Sequence, residues 1–125
     1  MKHYMMILRA GHEFSEIETR ELAGEIPEWV NLARKSVTHL DPRMVTRCVS
    51  CIAFSEGALV TQKEAEDPWI TAIIHFDAER DDEAELIAGL HPALRHGATI
   101  ELREWAAPGL LADVTVARSD WNRRT

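Results

Sequence analysis

The segment Trp69-Ile70-Thr71-Ala72-Ile73-Ile74-His75-Phe76-Asp77 constrains this chain more than any other. Side chains alternate across a strand, so Ile70, Ala72, Ile74 and Phe76 share one face. Trp69, Thr71, Ile73, His75 and Asp77 share the other. The first face is uniformly apolar and has to be covered. The second mixes aromatic, aliphatic and ionisable groups. A strand of this kind belongs in a sheet with helices packed on one side, which is the α+β class.

The rest of the chain supplies matching elements. His3 to Arg9 reads as a strand. Ser15-Glu16-Ile17-Glu18 forms a capping box that opens a helix. Ile17, Ile26, Trp29, Val30, Ala33 and Val37 fall broadly on one face of that helix. Pro27 removes a backbone donor within it, so a kink or two abutting helices are expected. Asp41-Pro42 reads as a turn and Met44 to Phe54 as a strand. Ser55-Glu56-Gly57 reads as a hairpin turn into a short strand, Ala58 to Lys63. After a turn at Asp67-Pro68 and the strand at residues 69–77, Asp81 is expected to cap a second helix. Asp82, Glu83 and Glu85 in its first turn suit the helix dipole. Ala84, Ile87, Ala88 and Leu90 or His91 would face the core. Pro92 stops or kinks this helix, and Thr99 to Trp105 forms the last strand. The order is that of a ferredoxin-like βαββαβ fold with an extra short strand.

The length of 125 residues fits one domain, and apolar residues make up 46%. The net charge of −7 argues against nucleic acid as a partner, because phosphate binding needs a basic face. Nine of the 21 acidic residues lie between Glu64 and Glu85. No apolar run approaches the roughly 20 residues of a membrane span. Arg9 interrupts the short apolar start, so no signal peptide is expected. Two cysteines do not make a disulfide scaffold, and the cytoplasm is the expected location.

Several short motifs occur in order: Met1-Lys2-x-Tyr4-Met5, Leu59-Val60-Thr61 before Lys63-Glu64, Phe76-Asp77 before an acidic helix, His91-Pro92, Gly97, and Ile100-Glu101-Leu102-Arg103. Over residues 1–106 the chain resembles the YCII-related (DGPF-motif) family. The resemblance implies a dimeric α+β barrel, in which two sheets pack face to face around clefts. The chain departs from the family where Asp-Gly-Pro-Phe should follow Val60-Thr61, since Gln62-Lys63-Glu64-Ala65 stands there. Residues 16–37 also lack the His that some relatives carry in the first helix. The resemblance therefore implies a fold and a dimer rather than an activity.

The helix-free sheet face is the expected site. It gathers His3, Met5, Ile7 and Arg9 from the first strand, Trp69 to Asp77 at alternate positions, and Thr99, Glu101, Arg103 and Trp105 from the last. So much apolar surface calls for burial by a second copy. Antiparallel neighbours would bring His3 towards His75 and Asp77. His75 and Asp77 are the candidate acid–base pair, Arg103 the anion anchor, and His3, Trp69 and Trp105 the remaining ligand-binding residues. The plainer alternative is a polar rim whose charges pair across an interface. Two functions follow. One is a cofactor-free enzyme acting on a small acidic or aromatic molecule by proton transfer. The other is a non-catalytic dimeric module that binds a small ligand or a protein.

Other features point elsewhere. Cys48 and Cys51 have CxxC spacing, but within a strand residues three apart point to opposite faces, so neither metal nor disulfide is expected. The six histidines form no HxH or HxxxH pair, so no metal site is expected. His91 precedes Pro92 at a helix end, where a cation suits the last carbonyls. In the extension, residues 107–125, Leu110, Val114, Ala117 and Trp121 recur at helical spacing, although Val114 to Val116 also fits a short strand. This segment is expected to dock on its own subunit or the partner's, anchored by Trp121. Arg118, Arg123 and Arg124 would then face the acidic stretch.

Overall fold

The structure, a computed structural model, describes residues 1–106. The expected docking of residues 107–125 lies outside the described residues. Six strands and two α-helices follow in chain order. They are β1 (Lys2–Arg9), α1 (Glu16–Ser36), β2 (Thr38–Met44), β3 (Cys51–Ser55), β4 (Ala58–Gln62), β5 (Ile70–Ala78), α2 (Asp81–Gly89) and β6 (Thr99–Glu104), with a 3-10 helix at Pro92–His96. Four strands form one antiparallel sheet in the order β2-β5-β1-β6, and β3 and β4 pair separately. This α+β arrangement is compatible with a ferredoxin-like fold. No helix among the described residues is long and apolar enough to cross a membrane.

Strand alternation sorts the sheet as the sequence implies. Tyr4, Met6 and Leu8 of β1 and Ile74, Phe76 and Ala78 of β5 are buried. Trp29, Ala33 and Val37 from α1, and Ala84, Ile87 and Ala88 from α2, pack on that same face. Both helices therefore cover one side of the sheet. Met6 and Phe76 are fully enclosed at its centre. Truncating Phe76 to Ala would cost about 3–5 kcal/mol from lost transfer energy and the cavity left behind.

The α1 N-terminus carries the expected capping box. The Ser15 hydroxyl accepts from the Glu18 amide, and the Glu18 carboxylate accepts from the Ser15 amide, both at 3.1 Å. The helix then runs unbroken through Pro27, so two abutting helices are not formed. Pro27 and Ala23, whose carbonyl loses its partner, both lie on the exposed side, where water replaces the missing bond. Ile17 is exposed, and Leu22 is buried in its stead.

Three further expectations are corrected. Asp41 and Pro42 lie within β2 rather than in a turn. β2 is an edge strand, so the missing Pro42 N–H can face away from the ladder. The chain from 45 to 50 is not a strand, and only Cys51–Ser55 joins the hairpin, turned by Glu56 and Gly57 at positive φ. Finally, Arg80 occupies the N-cap of α2 and makes no side-chain capping bond. Asp81 is the first helical residue, and its carboxylate accepts from Tyr4 Oη at 2.6 Å and Lys2 Nζ at 3.2 Å. Asp81 thus ties the start of α2 to β1 instead of capping it.

Candidate functional site

One end of the helix-free face carries a His–Asp–His set. β1 and β5 pair with His3 opposite Asp77. The His3 Nδ1 lies 2.6 Å from Asp77 Oδ1, and the His39 Nδ1 lies 2.8 Å from Asp77 Oδ2. The Asp77 side chain is 14% exposed. Burial alone would raise its carboxyl pKa, but the hydrogen bonds from His3 and His39 outweigh burial and hold it below the usual value. An ionised carboxylate only accepts, so both Nδ1 atoms are donors. Each ring therefore turns Nε2 outward, as a lone pair when neutral and as a donor when protonated.

His39 reaches Asp77 through a backbone irregularity. Thr38 pairs with Asp77, but the next registered pair is Asp41 with His75. Two residues of β2, His39 and Leu40, thus stand opposite the single residue Phe76. His39 adopts φ of 54°, the left-handed region that non-glycine residues rarely occupy. Strain of this kind persists where surrounding contacts hold it, and it clusters at functional sites. Sequence alternation gives no sign of this bulge, which is why His39 is missing from the expected site.

His75 shares the face but not the carboxylate. Both carboxylate oxygens of Asp77 are engaged by His3 and His39, and no His75–Asp77 hydrogen bond forms among the described residues. The expected His75–Asp77 pair is replaced by His3–Asp77–His39. His75 instead stacks on Trp105 with ring centroids 5.0 Å apart, and the same indole lies 5.9 Å from the His3 ring. The Trp105 amide donates to the His3 carbonyl at 3.0 Å, extending the β1–β6 ladder and setting the indole beside both rings. Trp105 is 43% exposed, so its outer face is open to a ligand.

A charge network runs from the opposite end of the face along β6 to Arg103, which stands across Met5 from His75. Arg9 donates to Asp67 at 2.7 Å and to Glu101 at 3.0 Å, and Arg103 donates to Glu101. The Arg103 bond holds the Glu101 carboxyl below its usual pKa, with Arg9 adding to the effect against partial burial. Arg103 is therefore not a free anion anchor, because Glu101 already neutralises it. Trp69 sits beside this network, its amide bonded to Asp67. Trp69 and Asp77 are eight residue steps apart along extended chain, about 26 Å. Trp69 and the histidine set cannot hold one small molecule.

Two other clusters escaped sequence spacing. His96, at the end of the 3-10 helix, approaches Glu18, Glu21 and Glu25 of α1. Ligand atoms of Glu21, Glu25 and His96 lie within 4.8 Å of one another, the spacing a metal would need. Arg95 already pairs with Glu25, and a cation there opposes a metal ion. Glu18 is bonded by the Ser15 amide and by His12, which together bring its carboxyl down to about 2. The cysteine expectation rested on a strand that is not there. Cys48 precedes β3, and its Sγ lies 3.8 Å from that of Cys51. The two thiols are free and adjacent rather than opposed.

His91 also differs from its expected role. It is 3% exposed and caps the 3-10 helix, with Nδ1 accepting from the Ala93 amide at 3.1 Å. Burial lowers its pKa to about 4. It is a neutral acceptor at a helix start, not a cation at a helix end.

The chain matches no family model, and no curated protein matches it significantly.

Proposed function

We propose that this chain is a YCII-related protein, folded as a ferredoxin-like βαββαβ domain, that pairs through its helix-free sheet face into a dimeric α+β barrel. There it acts as a cofactor-free enzyme, moving a proton on a small aromatic or acidic molecule. The observation that carries the reading is the shared carboxylate of Asp77, bonded by two imidazoles whose Nε2 atoms face outward. Asp77 fixes ring orientation and tautomer. His3 and His39 then supply a base and an acid within reach of one ligand, and Trp105 stacked on His75 offers an aromatic shelf. The neutralised Arg103 favours the aromatic over the acidic substrate.

Pairing has its own support. Met5, Ile7 and Ile73 form a half-buried apolar strip across the centre of the helix-free face. The β3–β4 hairpin carries Ile52, Phe54, Leu59 and Val60, all exposed. Such surface is large for a free monomer, and a second copy would cover it while narrowing the site into a cleft. That enclosure would exclude water from the histidine set.

The test is solvent deuterium exchange into enolisable aryl carbonyl compounds, phenylpyruvate among them, followed by proton NMR. The protein should accelerate exchange of at least one compound, and Asp77→Asn should slow it by about 10²-fold. If no member of such a panel exchanges faster than with free imidazole, the enzyme reading fails and a non-catalytic binding module takes its place.

A further inference from the structure

A separate cavity lies on the other side of the sheet, between α1 and the strands. It holds about 510 Å3 and is lined by Leu8, Leu22, Ile26, Trp29, Ile74 and His91 among others. Ligand sites commonly span about 300–1,000 Å3. Pro42, Arg43 and Met44 of the edge strand border it and are exposed, so its mouth opens beside β2. The walls are hydrocarbon almost throughout.

Thr19 and Thr71 also line it, but their hydroxyls donate to the Ser15 and Leu8 carbonyls, and the one buried polar side chain in the lining is His91. Its ring lies 4.7 Å from that of Trp29, whose indole N–H is already bonded to the Ile87 carbonyl at 3.0 Å. Nδ1 of His91 accepts from the Ala93 amide and so carries no proton. In a neutral ring the proton then sits on Nε2. Among the described residues Nε2–H has no hydrogen-bond partner, yet no buried side-chain nitrogen or oxygen is left unsatisfied without access to space. The space His91 borders is this cavity. A nearly buried ring thus presents one unused donor to an apolar chamber.

We infer that the cavity binds a small uncharged molecule with an aromatic or alkyl body and one carbonyl or ether oxygen, which accepts from His91 Nε2–H. The hydrocarbon walls take the body of the ligand. The single donor selects an acceptor group, because leaving it unpaired in an apolar site has a cost. A carboxylate at this depth would lose its hydration for one hydrogen bond, so the buried end is neutral. Arg43 at the mouth is held by Asp41 at 2.9 Å and does not reach the floor as a counter-ion. The site is independent of the histidine set, which lies on the opposite sheet face.

The probes are 4-phenylbutan-2-one and its hydrocarbon isostere isopentylbenzene, titrated into the full chain while the Trp29 indole N–H is followed by two-dimensional NMR. The ketone should shift the Trp29 signal and bind about two- to tenfold more tightly than the hydrocarbon, the worth of one hydrogen bond. His91→Asn keeps an acceptor for the Ala93 amide, and its amide nitrogen stands at the ring Cδ2 position rather than at Nε2, out of reach of the ligand oxygen, so it should bring the two affinities together. Ala72→Phe, which adds a ring to the cavity wall, should abolish both. No shift of Trp29 up to the solubility limit, equal affinity for the two probes in the wild type, or undiminished binding in a folded Ala72→Phe protein would each overturn the inference.

Discussion

Acid should unfold this protein partly through His91. The ring is buried against Trp29 and Ala93, with no carboxylate bonded to it, and burial takes its pKa from 6.5 to about 4. Above the ordinary value both folded and unfolded chains hold a neutral imidazole, and the full stability is present. Between 6.5 and about 4 the unfolded chain binds a proton that the folded chain excludes, so stability falls as pH falls. Each pH unit in that window costs about 1.4 kcal/mol, which sums to about 3 kcal/mol. Below the folded value both states are protonated and the loss is complete. Carboxylates such as Glu18, Asp77 and Asp81, held low by their partners, also destabilise the protein in acid. A difference measurement removes them. Urea unfolding of the wild type and of His91→Asn, repeated from about pH 8 to about pH 4, gives two stability curves. Their gap should narrow by about 3 kcal/mol towards acid, because only the wild type carries this titration. Parallel curves would show that burial does not hold His91 neutral and would refute the reasoning.

Two further outcomes are expected. Ile73→Asp should place an unpaired charge at the centre of the helix-free face and yield monomer or aggregate by light scattering; a wild type that is itself monomeric at tens of micromolar would remove the proposed dimer. Gly11→Ala would drive a Cβ into the Gly97 carbonyl oxygen, and the forced backbone shift should cost about 1–3 kcal/mol in urea unfolding. An unchanged midpoint there would mean the two loops separate freely.

Local patterns in the sequence reach the covered face of the sheet and stop short of the site. Alternation in residues 69–77 identifies both sheet faces, because period-two burial depends only on the strand itself. The Ser15–Glu18 box and the Glu56–Gly57 turn are equally local, and both form. The misplaced elements depend on position in the sheet. Asp41-Pro42 reads as a turn in isolation, and only its place on an edge makes it strand. His3 and Asp77 are brought together by the antiparallel register, which the order of elements implies. His39 joins them through a bulge that shifts which face its side chain serves, and no spacing rule encodes that. The same holds for His96 and for the Cys48–Cys51 approach, where side chains meet through loops. His75, chosen because it shares a strand face with Asp77, loses that partner to two histidines from neighbouring strands. Competition for one carboxylate is settled by tertiary geometry.

The most direct measurement is the tautomer of the His3 and His39 rings, read by long-range proton–nitrogen NMR in the wild type and in Asp77→Asn. A carboxylate shared by two Nδ1–H donors requires both neutral rings to carry the proton on Nδ1, leaving Nε2 as the outward base. Asp77→Asn should release at least one ring to the opposite tautomer. Rings that carry the proton on Nε2 in the wild type, or that keep the same tautomers without the Asp77 carboxylate, would contradict the proposed proton-transfer site.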